Sequence, residues 1–389
     1  MTAGRMRPII GACCAMMWSN DCGQGKLMKP RPDFKSEIDT PALVIDLDVL
    51  EANIARMQSF FDGQTANLRP HFKTHKCPPI ARRQLRAGAK GITCAKVGEA
   101  EVLVQAGVKD ILIANQVVGG LKIRRLARLL RRARVTVAVD EARNVKDLSA
   151  AAAAAGAPLG VLVEVDIGMG RCGVKPGKEA VELARCVARC PGLEFRGLQG
   201  YEGHLVLQAP GGDKDRLTLE ALSLLVKTVG ALCRAGIECK EVSGGGTGTY
   251  RTSGAHPVMS EIQAGSYATM DARYAKVTPE FGNALFCVVT IVSRPKKNVA
   301  IGDAGMKSLT TEFGMPQAWG IRGVKVERLA EEHTLMRVRG EGARLVPGDK
   351  ILLVPSHGCT TFNLHDRVYG VRDGSVECRW RIAARGRAE

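Results

Sequence analysis

The sequence predicts an α/β fold, a parallel (β/α)8 TIM barrel followed by a second, C-terminal β domain. Between about residues 40 and 280, short apolar segments alternate with segments of helical spacing, most of them separated by Gly or Pro. After Phe281 the pattern changes to strand-like segments without long helices. A chain of 389 residues also exceeds one ordinary core and suits a barrel plus a smaller domain.

Residues 1–37 precede this pattern and differ from it in composition. They carry Arg5 and Arg7, have no acidic residue before Asp21, and are rich in Met and Cys. A targeting peptide and a disordered tail are both compatible with such a segment. We therefore expect a cytoplasmic protein, or an organellar one (mitochondrion or chloroplast) if this extension is a transit peptide.

The regular elements begin at residue 41. A β-branched run predicts a first strand at 41–47, and apolar residues at helical spacing predict a helix at 48–60 with Asp48 as its N-cap. Eight barrel strands are then expected to begin near Leu68, Gly91, Asp110, Val135, Leu159, Leu193, Cys239 and Glu261. Helices are expected between them at 78–87, 97–106, 119–132, 144–155, 178–190 and 213–235.

The sequence after Phe281 has the pattern typical of strands. They are expected at 285–292, 299–302, 335–338, 350–354, 368–371 and 376–382. This change of pattern predicts a barrel at 49–280 and a β domain that includes 281–389.

Composition narrows the classes of function. The chain is 45% hydrophobic and 24% charged, as in soluble globular proteins, and no apolar run is long enough to cross a bilayer. The net charge of +17 raises the question of nucleic-acid binding. The densest basic groups, 122–134 and 379–387, lack interleaved aromatics, and aromatic residues make up only 4%. We expect neither a nucleic-acid nor a membrane partner.

The 13 cysteines without paired zinc-site spacing indicate a reducing compartment.

Residues 69–76 carry the most chemical information, with the sequence RPHFKTHK. A lysine at the end of a strand, close to other cations, can lose its proton and attack a carbonyl. Lys73 is the candidate, and Lys76 is its competitor. A solvated basic turn is the ordinary alternative for this segment.

Other polar residues with chemical potential also follow predicted strands. At the carboxyl ends of barrel strands such residues converge on one face, where active sites are built. Some of them can instead cap turns or make loop hydrogen bonds. The candidates in chain order are Lys96, Asn115, Gln116, Asp140, Asp166, Arg171, Tyr201 and His204.

The glycine run at 243–249, SGGGTGT, predicts an anion site. Glycines allow backbone N–H groups to approach an anion, and the hydroxyls add donors. The run follows the seventh predicted strand, and Gly265, Ser266 and Tyr267 follow the eighth, which is the phosphate-binding position of a barrel. A flexible hinge is the alternative. A phosphate site together with a strand-end lysine indicates pyridoxal 5′-phosphate.

These residues carry a family resemblance from about residue 38 to the C-terminus. The chain resembles the D-threonine aldolase and D-serine dehydratase group of fold-type III pyridoxal phosphate enzymes, which are similar in architecture to alanine racemase. The matching motifs are DTP at 39–41, RPHFKTHK at 69–76, EVDIGMGRCG at 164–173, GYEGH at 200–204, SGGGTG at 243–248 and PSHGC at 355–359.

The resemblance implies roles for particular residues. Lys73 would be the Schiff-base lysine, Tyr201 would face the pyridine nitrogen, and Arg171 would bind the cofactor's phenolic oxygen or the substrate carboxylate. A salt bridge with Asp166 is the structural alternative for Arg171. The phosphate would be bound by Ser243, Gly245, Gly246, Thr247, Gly265, Ser266 and Tyr267. The resemblance also assigns 38–48 to the β domain and implies a homodimer.

His357 and Cys359 follow a predicted strand two residues apart. Imidazole and thiolate so placed can bind one divalent ion, and the resemblance implies a metal here, beside the cofactor. The thiolate favours zinc over manganese or magnesium. His365 and Asp366 are candidates for supporting the two ligands.

The reaction expected by resemblance is that of a lyase, a D-threonine aldolase. A D-β-hydroxy amino acid would be cleaved between Cα and Cβ into glycine and an aldehyde, with Lys73 and His357 as catalytic residues. The alternative is a D-serine or 3-hydroxy-D-aspartate dehydratase, which uses the same residues and gives a 2-oxo acid and ammonia. A pyridoxal phosphate carrier without turnover is a third possibility, but single-domain carriers would lack the β domain.

Overall fold

The structure is a computed structural model that describes residues 33–389. The predicted extension 1–37 therefore lies mostly outside the described residues. The described chain starts with helix α1 (Asp33–Ser36), strand β1 (Ala42–Asp46) and helix α2 (Leu47–Phe61). The N-cap of α2 is Asp46, whose side chain accepts a hydrogen bond from the Val49 N–H at 3.0 Å. The prediction of Asp48 as the cap was wrong.

Eight strands form one parallel sheet in the order β2-β9-β8-β7-β6-β5-β4-β3. A parallel bridge between His71 and Thr93 joins its two ends. The (β/α)8 prediction is confirmed. The strands are β2 (Asn67–Leu68), β3 (Ile92–Cys94), β4 (Asp110–Gln116), β5 (Arg134–Val139), β6 (Leu159–Glu164), β7 (Leu193–Gly200), β8 (Glu241–Gly244) and β9 (Glu261–Ile262).

Helices connect these strands, and most of them bury one face. Helix α7, for example, buries positions at spacings of three and four residues, from Ala180 to Val187, as the helical period requires. Helix α6 begins where Glu141 caps two backbone N–H groups and ends at Gly156, whose φ of 64° is left-handed. The helices are α3 (Pro78–Arg86), α4 (Val97–Gln105), α5 (Gly120–Leu129), α6 (Ala142–Ala155), α7 (Lys178–Arg189), α8 (Gly212–Arg234) and α9 (Tyr250–Gly254).

The remaining strands form a second, nine-stranded sheet with β1 at its centre. Strand β1 pairs antiparallel with β10 and parallel with β16, and β15 pairs with β10 and β12. The elements after the barrel are β10 (Leu285–Lys296), β11 (Val299–Gly302), β12 (Gln317–Trp319), β13 (Val324–Leu329), β14 (Thr334–Val338), β15 (Lys350–Val354), α10 (Gly358–Phe362), β16 (Arg367–Arg372) and β17 (Ser375–Arg381). The sequence did not predict β12 and β13.

One continuous apolar core includes barrel residues such as Val137 and Val163 together with Leu43 and Ile45 of β1, and all four are fully buried. At the amino ends of the barrel strands, Arg69 forms ion pairs with Asp110 and Glu261, with N–O distances of 2.9 Å. These pairs lie at the end of the barrel opposite to the strand carboxyl ends. Within residues 33–389, no helix is both long enough and apolar enough to cross a membrane.

Candidate active site at the carboxyl ends of the barrel strands

A cavity of about 510 Å³ opens where the barrel strands end. Its walls come from residues after at least five barrel strands and from two segments of the β domain, so it combines groups far apart in sequence. The lining residues are His71, Lys73, Thr74, Ala95, Ala114, Asn115, Arg171, Cys172, Gln199, Tyr201, Gly203, Val206, Leu207, Gly245, Gly246, Thr247, Gln263, Gly265, Ser266, Tyr274, Phe313, His357 and Cys359.

Lys73 lies in a short 3-10 turn, Phe72–Thr74, directly after the bridge that closes the barrel. Phe72 is fully buried and fixes the turn, and the Lys73 N–H donates to His71 Nδ1 at 3.3 Å. Burial is the main cause that lowers the pKa of Lys73, and the nearby Arg171 acts in the same direction. A lysine in this state is more readily available as a neutral nucleophile.

Lys76, the competing candidate, does not line the cavity. Its Nζ donates to Asn363 Oδ1 at 3.0 Å and lies 3.5 Å from the buried carboxylate of Glu99. Its backbone is left-handed, with φ of 50°. The structure thus places Lys73 in the cavity and gives Lys76 partners elsewhere.

The glycines of the predicted anion site also line the cavity. Gly245 has φ of 69°, and a Cβ atom there would meet Ile262 at 2.9 Å. A Cβ atom on Gly265 would lie 2.9 Å from the carbonyl oxygen of His71. The local packing therefore requires glycine at both positions, and both residues line the cavity with backbone atoms alone. Thr247 Oγ1 accepts from the Tyr267 N–H at 3.1 Å, which leaves its own hydrogen free to donate.

Two residues predicted for the same site lie behind the cavity wall. The Ser243 hydroxyl accepts a hydrogen bond from Gln263 at 2.8 Å and is fully buried. The Tyr267 ring is fully buried, and its hydroxyl accepts from Gln84 at 3.0 Å. Neither side chain borders the cavity, whereas Ser266 does.

Arg171 and Tyr201 lie together on one side of the cavity. The guanidinium carbon is 5.6 Å from the centre of the Tyr201 ring, and Arg171 Nη2 is 3.8 Å from Glu164 Oε1. The alternative pairing of Arg171 with Asp166 does not occur, because Asp166 accepts the N–H groups of Gly168 and Gly170 and so folds its own loop. Burial raises the pKa of Tyr201 to about 12, which keeps the phenol neutral.

The other strand-end candidates divide into two groups. Asn115 lines the cavity, and its amide donates to the Ala95 carbonyl at 3.2 Å. Asp140 accepts a backbone N–H from Gly173 at 3.1 Å and shapes a loop. Lys96, Gln116 and His204 are outside the cavity lining.

His357 and Cys359 enter the cavity from the start of α10, which follows β15. Burial alone would lower the pKa of His357, but a hydrogen bond and charge from Cys359 outweigh it and raise the pKa to about 9. Burial would likewise raise the pKa of Cys359, but the hydrogen bond and charge of His357, together with Lys73, lower it. Without a metal ion, each of the two side chains therefore favours the charged form of the other.

The donor set of this pair fits a divalent ion with two protein ligands. Thiolate and imidazole are ligands typical of zinc, and an ion bound by only two residues keeps positions for water and substrate. Between Asp33 and Glu389, no group of three or more His, Cys, Asp or Glu is arranged to hold a metal. His365 and Asp366 do not support the pair directly, because His365 Nε2 bonds the Ser308 carbonyl and Asp366 pairs with Arg385.

The sequence missed two residues that touch His357, Glu312 and Phe313. Glu312 Oε1 lies 2.6 Å from His357 Nδ1, and the Phe313 ring stacks on the imidazole with centroids 4.3 Å apart. Both belong to the connection between β11 and β12. No local pattern marks this connection, and only the β-sheet pairing brings it to the barrel mouth.

Comparisons with known proteins agree with this arrangement. The family model described as alanine racemase, N-terminal domain, matches residues 45–273, and that of a putative serine dehydratase domain matches 284–371. The D-threonine aldolase of Arthrobacter sp is 42% identical over 358 residues, which cover 91% of this chain and 94% of that protein. The D-threo-3-hydroxyaspartate dehydratase of Delftia sp. (strain HT23) is 30% identical, covering 83% of this chain and 92% of its own.

Solved structures give the same relation. The crystal structure of D-threonine aldolase from Filomicrobium marinum has a TM-score of 0.89 and 43% sequence identity, and it covers 91% of this chain and 98% of that one. Both family models together span the barrel and most of the β domain. The chain therefore belongs to the D-threonine aldolase and D-serine dehydratase family, which is built on the alanine racemase fold.

Proposed function

We propose that the protein is a pyridoxal phosphate- and divalent-metal-dependent D-threonine aldolase, which cleaves D-β-hydroxy amino acids to glycine and an aldehyde. One observation carries this proposal: Lys73, the glycine wall at 245–247 and the His357–Cys359 pair border a single cavity. The two D-threonine aldolases described above support it, because they are 42% and 43% identical over 91% of the chain.

The cavity fits pyridoxal phosphate. Lys73 Nζ would hold the aldehyde, while the backbone at Gly245, Gly246 and Gly265 and the Thr247 and Ser266 hydroxyls would hold the phosphate. When bound, this cofactor withdraws electrons from the substrate Cα and so stabilises the negative charge left by bond cleavage. Tyr201, whose pKa is raised to about 12 by burial, keeps its proton beside the ring site.

The His357–Cys359 pair would hold the metal, with zinc favoured over manganese or magnesium by the thiolate. A divalent ion held by this pair would supply Lewis acidity that makes a substrate β-hydroxyl more acidic. Because the pair and Lys73 face one cavity, the hydroxyl-bearing carbon of a substrate bound at the lysine would lie toward the pair.

Other residues of the cavity would bind and orient the substrate. Burial, with help from the charge of Lys73, lowers the pKa of His71 well below its usual range, so its ring is neutral. The Nδ1 atom of His71 accepts a hydrogen bond from the backbone N–H of Lys73, so the ring proton sits on Nε2 and can donate to a substrate oxygen. Arg171 offers a cation to the α-carboxylate. Val206, Leu207 and Phe313 give apolar walls that exclude water.

The second candidate is a dehydratase of D-serine or 3-hydroxy-D-aspartate. It needs the same residues, with Lys73 taking the α-proton, and the thiolate of Cys359 suits the zinc that would assist the loss of hydroxide. The 30% identity to a D-threo-3-hydroxyaspartate dehydratase supports it as the alternative. We rank this function second because 30% is lower than the 42% identity to a D-threonine aldolase.

We also propose that the protein is a homodimer and that its domains are a barrel at 49–280 and a β domain of 38–48 plus 281–389. The position of β1 between β10 and β16 supports the second boundary. We propose a cytoplasmic location, or an organellar one if residues 1–37 are a transit peptide.

Incubation with D-threonine and with D-serine, each with and without a chelator, tests the function. Glycine and acetaldehyde from D-threonine, formed only without chelator, are expected for the aldolase. Formation of 2-oxobutanoate or pyruvate with ammonia would favour the dehydratase instead. The Lys73→Ala variant should lose the visible absorption of bound cofactor, and an unchanged spectrum would refute the role of Lys73.

A further inference from the structure

The segment 308–313, which links β11 to β12, is fastened to the segment 356–365 that carries the metal-site pair. The Ser356 hydroxyl donates to the Thr310 carbonyl at 2.7 Å, and the hydroxyls of Thr310 and Thr360 lie 3.0 Å apart. His365 Nε2 lies 2.8 Å from the Ser308 carbonyl. Together with the Glu312 contacts, these bonds hold one segment against the other over its whole length.

Glu312 occupies the centre of this contact. Its Oε1 lies 2.6 Å from His357 Nδ1 and also accepts from the Thr360 hydroxyl. A carboxylate only accepts hydrogen bonds, so the short contact requires the proton of the imidazole to be on Nδ1. In the neutral ring the lone pair is then on Nε2, which is the nitrogen left for a metal.

Phe313 restricts the rotation of the His357 ring that the contact with Glu312 leaves open. It stacks on the imidazole at 4.3 Å with an angle of 30° between the planes. A hydrogen bond at one nitrogen and stacking over one face together set the direction in which Nε2 points. Histidine ligands in metal sites are oriented in this way by a carboxylate on the second ring nitrogen.

We infer that Glu312 is a positioning residue, which fixes the tautomer and direction of His357 so that a divalent ion binds through Nε2. The inference rests on the proposed function, because it requires the metal at His357 and Cys359. It assigns a task to a residue of the β11–β12 connection that touches neither the substrate site nor the ion.

Two observations exclude simpler roles for Glu312. Among residues 33–389 it forms no ion pair with Lys or Arg, so it is not half of an ordinary surface salt bridge. Nor does it complete a three-residue ligand group with His357 and Cys359, since the structure describes no such group. Its carboxylate is 41% exposed, so solvent weakens but does not remove its effect on the imidazole.

The test measures metal affinity of the cofactor-loaded protein after metal removal. Zinc dissociation constants are obtained by competition with a chromophoric chelator for the wild type, Glu312→Ala, Glu312→Gln and a control, Glu332→Gln. Glu332 is in the same domain, is 56% exposed and pairs with Lys307, so the control makes the same charge change away from the cavity. The temperature of unfolding of each variant shows whether the fold is intact.

We expect Glu312→Ala to bind zinc about 10- to 100-fold more weakly, and the control to be unchanged. Glu312→Gln should lose less, because its amide oxygen still accepts from Nδ1 but carries no charge. Equal affinity of Glu312→Ala and wild type would overturn the inference while leaving the proposed function intact. A wild type that binds neither zinc nor manganese would overturn both the inference and the proposed metal dependence.

Nitrogen NMR of the histidine side chains in the zinc-loaded wild type gives a second readout that does not depend on a variant. Metal on Nε2 of His357 with a proton on Nδ1 supports the inference. Metal on Nδ1 overturns it, whatever the variants do.

Discussion

His75 shows how burial can outweigh hydrogen bonds in setting the pKa of a residue. It is fully buried, its Nδ1 accepts the Cys77 N–H at 3.2 Å, and its Nε2 lies 3.4 Å from Gln84 Oε1. Burial lowers the pKa of His75 to about 4. The folded protein therefore keeps this ring neutral at pH values at which the unfolded chain already binds a proton.

This difference predicts a pH dependence of stability. The contribution of His75 is fully present above its unfolded pKa of about 6.5 and is lost as the pH falls toward 4, at about 1.4 kcal/mol per pH unit. Urea unfolding at pH 7 and pH 5 should show a shallower loss of stability for His75→Gln than for the wild type. Equal losses in the two proteins would contradict the expected protonation.

Cys359 sets the metal preference in the proposed site. Its thiolate is a soft ligand, and a carboxylate at the same position is hard. We expect Cys359→Asp to bind zinc less tightly relative to manganese than the wild type does. Competition titrations with both metals measure the change, and Cys359→Ser separates the loss of sulfur from the gain of a charge. A preference for zinc that survives in Cys359→Asp would argue against Cys359 as a ligand.

At the level of single residues, the sequence predicted what depends on neighbours in the chain. Lys73 follows a strand end, so its place at the barrel mouth could be expected before the structure. Position in the chain alone could not decide between Lys73 and Lys76, because Asn363 and Glu99, the partners of Lys76, are distant in sequence. The family resemblance decided for Lys73. Glu312 was missed for the same reason, since its contact with His357 spans 45 residues.

The loop after β8 is an element whose shape depends on its glycines. Gly245 has φ of 69°, where an L-residue costs roughly 1–2 kcal/mol, and its Cβ would press on Ile262. We expect Gly245→Ala to lower both stability and cofactor affinity, measured by urea unfolding and by the cofactor retained after dialysis. Gly212→Ala, at the start of α8 with open space around it, is the matched control and should retain the cofactor. Equal retention by both variants would contradict the proposed phosphate site.

Among the elements, those with a strong period were predicted well. Helices α3, α4 and α7 lie within one residue of the predicted ends. Helix α7 buries a regular apolar face, whereas α4 is buried on nearly all sides. Strand β12 has three residues, too few to show any period, and it is placed by pairing with β15. Strand β13 alternates apolar and charged residues and was missed despite that signal. The start of α2 was misplaced because the two aspartates at its start are both plausible caps.

At the scale of the whole molecule, buried ion pairs close the end of the barrel where the amino ends of the strands lie. The side chains of Arg69 and Glu261 are 3% and 1% exposed, and Lys90 also lies 3.1 Å from Glu261. Removing one partner of a buried pair leaves an uncompensated charge, which costs about 3–5 kcal/mol. Arg69→Met should lower the free energy of unfolding by that amount in urea titrations. The exposed pair of Arg337 and Glu327 provides the control, since Arg337→Met should cost less than about 1 kcal/mol.

Strand β1 packs into a core that the barrel and the nine-stranded sheet share. Leu43 and Ile45 are fully buried in the core that also contains the barrel strands, and β1 fills the gap between β10 and β16. Its continuation into α2 places Asn53 against the backbone of Gly282 and Ala268, where the barrel ends and β10 approaches. A destabilising substitution in β1 should therefore lower the stability of both the barrel and the β domain.

Leu43→Ala tests this coupling. Loss of a buried leucine side chain costs about 2–5 kcal/mol. Two probes report on the two parts: the fluorescence of Trp319 and Trp380 in the β-sheet, with Trp18 replaced by Phe in every variant, and the release of cofactor from the barrel. We expect both urea transitions to shift together to lower concentration, while Val346→Ala, at a residue that is 56% exposed, leaves them in place. A fluorescence transition that shifts alone would show that the nine-stranded sheet unfolds independently of the barrel, and β1 would then belong to the β domain without coupling it to the site.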